Sequence, residues 1–200
     1  MNLSEIEVSR RDQMGKGPAR RLRARGQVPA VVYGHKEAPV ALELDPKNFL
    51  KHLRTSGMGR NTLFKLKGLD REPTCLVKDM QFDPVRRDLR HVDLHEVRES
   101  DRVLVDIPVR LTGRAVGVIA GGDLSLAKRT LTVRCSPMNI PKQVVLDVSP
   151  MGLGATIRVG DVALPENVES VENPRLAVVT VKESRRSRQI AATEGGEPKK

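Results

Sequence analysis

The sequence predicts an α+β N-terminal half, a β-rich C-terminal half and a short polar tail. Three observations carry that prediction. Apolar residues recur mostly with a period of two or in short β-branched runs. Only two segments, near residues 18–25 and 46–56, combine helical spacing with start and stop signals. Charge balance changes at the polar linker 98–102, RESDR.

The elements follow in order. Ile6 and Val8 alternate with Glu5 and Glu7, which reads as a first strand over 2–9. Gly17-Pro18 enters a short helix, since proline is pre-organised for a first helical turn, and Gly26 stops it. Val28 to Gly34 and Val40 to Leu44 are strands. Asp45-Pro46 is a cap followed by proline, and Phe49, Leu50 and Leu53 then repeat at helical spacing as far as Ser56-Gly57. Residues 61–67 and 74–82 form a hairpin around Lys67-Gly68, Asp83-Pro84 opens a turn, and 89–97 is a further strand. Beyond the linker, strands are expected at 103–111, 124–135, 144–148 and 175–181, with Gly and Pro between them. The expected divisions are 1–98, 99–182 and a disordered tail at 183–200.

Composition narrows the function. The 200 residues carry a net charge of +10, but aromatics make up only 2%, with Tyr33 the single tyrosine. A core must be built from Val, Leu, Ile and Ala, and a binder that stacks single-stranded bases on several rings is disfavoured. Cys75 and Cys135 lie far apart in strand-like runs, so they read as buried small hydrophobes in a cytosolic chain. The N-terminal residues lack the basic end and apolar run of a signal peptide, and no window reaches membrane-span length.

The charge is concentrated. Residues 10–25 hold seven basic residues and one acid, a net of +6, while the rest of 1–99 is balanced. Residues 100–181 are close to neutral at +1. A focused patch is an electrostatic footprint, where a diffuse excess only keeps a protein soluble. Arg20 with Arg23 and Arg21 with Arg25 share faces of the short helix. Like charges at that spacing repel mildly unless an anion lies beside them; the alternative is a solvated basic helix.

The second informative piece is LRHVDLHEV. With a period of two, Val92 and Leu94 face one side while His91, Asp93 and His95 face the other. Asp accepts hydrogen bonds and neutral His both donates and accepts, a pair suited to a base edge or a ribose 2′-hydroxyl. An ordinary polar strand face is the plain alternative. Zinc is a poor fit: on a strand His91 and His95 stand about 13 Å apart, whereas each ligand must come within about 2 Å of the ion. No nucleophile elbow, Walker lysine motif or full dinucleotide loop is present, so no catalytic residue, cofactor or small-molecule substrate is expected. Leu22 alone gives the basic helix too little apolar face for a membrane surface.

Taken together, Gly15-Lys16-Gly17, Arg20-Arg21-Leu22-Arg23, Gly26 and Pro29 to Gly34 closely resemble the N-terminal signature of the bacterial large-subunit protein 25 family, which binds 5S ribosomal RNA. Lys78 to Pro84 and Arg90-His91-Val92-Asp93 are similar to its second signature. Gly121-Gly122, Pro137 to Pro141 and the strand holding Asp147 resemble the C-terminal domain of the long, general-stress (Ctc) form. The resemblance implies a small N-terminal β-barrel with two short helices, followed by a β-rich domain. It also implies a non-catalytic role in translation, with 5S ribosomal RNA and neighbouring proteins of the large subunit as partners. The positions it maps to RNA contact are Arg11, Lys16, Arg20, Arg21, Arg23, Tyr33, His91 and Asp93. Pro18 and Ala19 depart from the family pattern, which often has a small hydroxyl at position 19. The other reading is a stress-induced RNA- or protein-interaction module acting off the ribosome.

Overall fold

The computed structural model describes residues 3–35, 37–69 and 71–183. Its N-terminal elements are β1 (Leu3–Arg10), α1 (Lys16–Ala24), β2 (Val28–Gly34), β3 (Glu37–Leu44), α2 (Pro46–Ser56), β4 (Leu63–Lys67), β5 (Thr74–Phe82) and β6 (Leu89–Glu96). The six strands close into a barrel in the order β1-β3-β2-β6-β5-β4. Two of the pairings, β1 with β4 and β2 with β6, are parallel. The barrel and its two helices are those expected from the sequence.

Period-two alternation fills the barrel. Ile6 and Val8 point inward while Glu5 and Glu7 stay exposed. Leu42, Leu66, Val92 and Leu94 are all but fully buried. Phe49 of α2 lies 5.3 Å from Phe64 of β4, ring centre to ring centre, so the helix plugs the core with its one aromatic residue. Cys75 belongs to this core, where burial pushes its thiol up to about 12. Such a sulfur is an inert packing group.

The helix ends follow from local chemistry. Asp45 caps α2 by accepting the Lys47 N–H at 2.9 Å, and Gly57 closes it in the left-handed conformation at φ 67°. At the end of α1, Gly26 donates to the Arg23 carbonyl and Gln27 to the Leu22 carbonyl, with Gly26 at φ 81°. That is a Schellman closure. Leu22 is the buried residue of α1 and docks it on the barrel.

The remaining elements are β7 (Val103–Thr112), α3 (Val116–Ile119), β8 (Asp123–Leu126), β9 (Thr130–Cys135), β10 (Val144–Asp147), β11 (Thr156–Arg158), β12 (Glu169–Ser170) and β13 (Ala177–Lys182). They form two sheets, ordered β10-β7-β9-β12 and β11-β13-β8. Ile107, Leu131, Val133, Val148, Val178 and Val179 are buried. By contacts the described residues form two compact units, one of 3–103 with 136–142 and the other of 104–135 with 143 onward.

One expectation is corrected here. Residues 124–135 are not a single strand but two, in different sheets. The N–H groups of Ala127 and Lys128 both bond the Val178 carbonyl, and Arg129 accepts from Val109, so the chain changes partner at 127–129. The single turn of α3 and the short β11 and β12 lack a periodic signal in the sequence. The expected tail lies outside the described residues beyond Glu183.

Two glycines test the turn chemistry. Gly57 sits at φ 67° with open space around it, whereas Gly68, at φ 96°, faces the Val8 carbonyl where a Cβ would stand. Gly57→Ala is expected to cost about 1 kcal/mol from left-handed backbone alone. Gly68→Ala is expected to cost about 3 kcal/mol, because overpacking adds to the strain. Urea unfolding of the two variants measures the difference.

Candidate nucleic-acid interface

The interface grows from α1 and the outer face of β6. The outward side chains of β6 are His91, Asp93 and His95, opposite the inward Val92 and Leu94. Parallel pairing with β2 sets Tyr33 beside His95 and Val31 beside Asp93. Antiparallel pairing with β5 sets Asp79 against Asp93 and Gln81 against His91. The polar face therefore spans three neighbouring strands.

His91 Nδ1 lies 2.6 Å from Asp93 Oδ1, close enough for an ion pair when the imidazole is protonated, yet it makes no hydrogen bond. Both side chains are partly exposed, although the His91 Nδ1 atom itself is shut off from solvent. Tyr33 meets the His95 ring edge-on, at 5.7 Å and 80°. Burial, and then the negative Asp93 and Asp79, hold the tyrosine hydroxyl above its ordinary value, so it stays a hydrogen-bond donor. Burial first, then Lys78 and His35, hold the His95 imidazole below its ordinary value, with Asp101 and Glu96 opposing. At neutral pH that ring is uncharged and carries one donor and one acceptor.

The cations divide into two kinds. Lys16, Arg20, Arg21 and Arg25 are exposed on or beside α1 and make no ion pair among the described residues. Arg23 is half-buried and committed: its Nε and Nη2 both donate to the Arg90 carbonyl, at 3.2 and 3.1 Å. Partial burial, and then Arg90 and Arg11, push its pKa down. Arg11, Arg23 and Arg90 thus crowd together. The Arg11 Nε is shut off from solvent with no hydrogen-bond acceptor among the described residues. Crowded guanidiniums and an unsatisfied buried donor are relieved by an anion.

Arg90 is itself anchored. Its Nε and Nη2 donate to Asp83 Oδ2, at 3.0 and 2.5 Å. The other Asp83 oxygen accepts the N–H groups of Val85 and Arg86, at 2.9 and 3.0 Å. A chain of contacts therefore runs from the β5–β6 loop through Arg90 to the basic helix. The structure brings Arg23, Tyr33, His91 and Asp93 into one framework around β6, with Lys16, Arg20 and Arg21 on the helix it anchors. Asp79, Gln81 and Asp83 lie in the second signature segment but are not among the positions expected to contact RNA. The first two are placed by strand register, and the third by a turn whose long-range partner the sequence does not display.

A model described as the ribosomal L25p family matches residues 6–94. A second, described as the C-terminal domain of ribosomal protein TL5, matches residues 102–185. The large ribosomal subunit protein bL25 of Pelobacter propionicus is 37% identical over 200 residues, covering 98% of this chain and 100% of the relative. That of Pelotomaculum thermopropionicum is 38% identical over 182 residues, covering 89% and 86%. That of Geobacter metallireducens is 36% identical over 183 residues, covering 90% and 93%.

Asp83 gives the anchoring chain a pH signature. Backbone N–H donation, led by Arg86, and the Arg90 guanidinium hold its carboxyl at about 2, against an ordinary 3.8. The folded loop binds fewer protons than the unfolded chain between these values, so the Asp83 contribution is complete above about 3.8 and lost as pH falls towards 2. An NMR titration is expected to find the Asp83 carboxyl shifting near pH 2, with the Arg90 side-chain signals moving in step. A midpoint near 4 contradicts the anchoring.

Proposed function

This chain belongs to the ribosomal L25p family, and we propose that it binds 5S ribosomal RNA through the cations of α1 and the polar face of β6. It is a non-catalytic protein of the large ribosomal subunit, at work in translation on the cytoplasmic ribosome. The observation that carries the RNA reading is the Arg23–Arg90 contact. It fixes a row of unpaired guanidiniums beside a strand of outward-facing donors and acceptors.

Double-helical RNA hides its base edges in a deep narrow groove and displays 2′-hydroxyls across a wide shallow one. A polar face spread over three strands of the barrel suits the shallow groove. His91, Asp93 and the Tyr33 hydroxyl read ribose and base edges there, while Arg11, Lys16, Arg20 and Arg21 take phosphates. Arg23 spends two of its donors on the protein, so its first role is to orient the helix. Phosphate contacts supply affinity and register, and the strand face supplies discrimination. Residues 1–98 hold all of these groups. The domain at 99–182 carries a nearly balanced charge and braces the complex or meets neighbouring ribosomal proteins.

With about four phosphates contacted by these cations, the logarithm of the binding constant is expected to fall against the logarithm of salt with a slope of roughly −4 or steeper. Filter binding with 5S ribosomal RNA measures it, and a slope near zero removes the phosphate part. Asp93→Asn replaces an acceptor with a mixed donor and acceptor of the same shape. It is expected to weaken 5S binding roughly tenfold, the effect of about 1–2 kcal/mol for a charged hydrogen bond, while leaving transfer-RNA binding unchanged. Equal losses on both RNAs remove Asp93 from recognition.

A further inference from the structure

The β5–β6 loop, residues 83–88, has no part in the face described above beyond supplying Asp83. Its geometry is nevertheless that of a preformed contact. The Asp83 N–H donates to the Asp88 carbonyl and the Arg87 N–H to the Asp83 carbonyl, both at 2.8 Å. The Asp83 carboxylate accepts two further N–H groups and the Arg90 guanidinium. The six-residue tip is therefore closed on itself from both ends.

What the tip presents is unusual. Val85 is 88% exposed. Arg86 and Arg87 are exposed, and neither guanidinium has an acceptor among the described residues. Arg87 stands in left-handed backbone at φ 58°, a conformation in which glycine is relaxed and arginine is strained. Strain retained at a surface position points to a side chain used there, since packing gives no reason to keep it. Beside the tip lies a hollow of about 470 Å³ between α1, the start of α2 and the loop, with Arg23, Lys47, Arg86, Arg87 and Arg90 on its walls. Its two acids are Asp83 and Asp88, and the charge of Asp83 is already answered by Arg90.

We propose that this tip and hollow form a second RNA contact, in which Arg86 and Arg87 grip the phosphodiester backbone of the same 5S ribosomal RNA just beyond the segment covered by α1 and β6. The inference rests on the RNA reading above and extends its footprint. Arg23 and Arg90 join the two contacts: Arg23 reaches from the helix, and Arg90 carries the loop on its side chain and the helix on its carbonyl. The barrel thus offers two groups of cations, one on α1 and one on the loop. Because the contact is to phosphate, it adds affinity without base preference.

The experiment uses the full chain and 5S ribosomal RNA, with filter binding across a salt series and hydroxyl-radical footprinting. Arg86→Ala is expected to flatten the salt slope by about one and to weaken 5S and transfer RNA by the same factor. Arg86→Lys keeps the charge and is expected to keep the slope. Arg87→Gly removes the charge and relieves the backbone. It is expected to flatten the slope as Arg86→Ala does, with an unchanged or higher melting temperature. In the footprint, the double variant is expected to lose one protected backbone segment while the remaining protection stays. A wild-type slope near −4 with an unaltered slope and footprint in the double variant overturns the second contact and leaves the first standing. A flat wild-type slope overturns both.

Discussion

Closure of the N-terminal sheet is the constraint on which the rest depends. A six-stranded barrel made largely of Val, Leu, Ile and Ala leaves no sheet edge open. The parallel β1–β4 pairing completes the ring, and β6 then sits between β2 and β5 with both of its hydrogen-bonding edges occupied. Only its outward face remains to do anything. His91, Asp93 and His95 are therefore held on a surface whose backbone cannot shift register without turning Val92 and Leu94 out of the core.

A rigid strand face becomes useful once the charge is rigid too. An isolated two-turn helix is unstable in water, and α1 buries a single leucine. Its position is fixed by Leu22 from below, by the Schellman closure at Gly26, and by the Arg23 fork on the Arg90 carbonyl. The last of these matters most for function, because the same residue continues through its side chain to Asp83. Three elements distant in sequence thereby share one anchor. The backbone carrying the unpaired arginines of α1 is thereby ordered in advance, so that only their side chains remain to be fixed by an anion.

Much of this was legible from residue patterns. The alternation in β1 and β6, the Asp45-Pro46 cap and the Gly26 stop each have a local cause, and the structure follows them closely. The reading of 124–135 as one strand failed for a non-local reason: the Val178 carbonyl draws Ala127 and Lys128 into a turn. At the site, local pattern yielded the polar side of β6 and the density of arginines. It could not distinguish Arg23, which is turned towards a carbonyl 67 residues away, from Arg20 and Arg21, which are turned to solvent. Nor could it bring Asp79 opposite Asp93, because a bulge at Lys78 shifts that register by one residue.

The 67-residue gap between Arg23 and its acceptor has a consequence in time. During synthesis α1 emerges early, yet its seat on Arg90 does not exist until the last barrel strand has been made. Contacts of such long sequence separation form late in folding. The basic segment therefore passes through a stage in which its charges are exposed but not yet seated on the barrel. The β6 face is completed in the same step, so the helix cations and the strand proposed to read RNA come into register together.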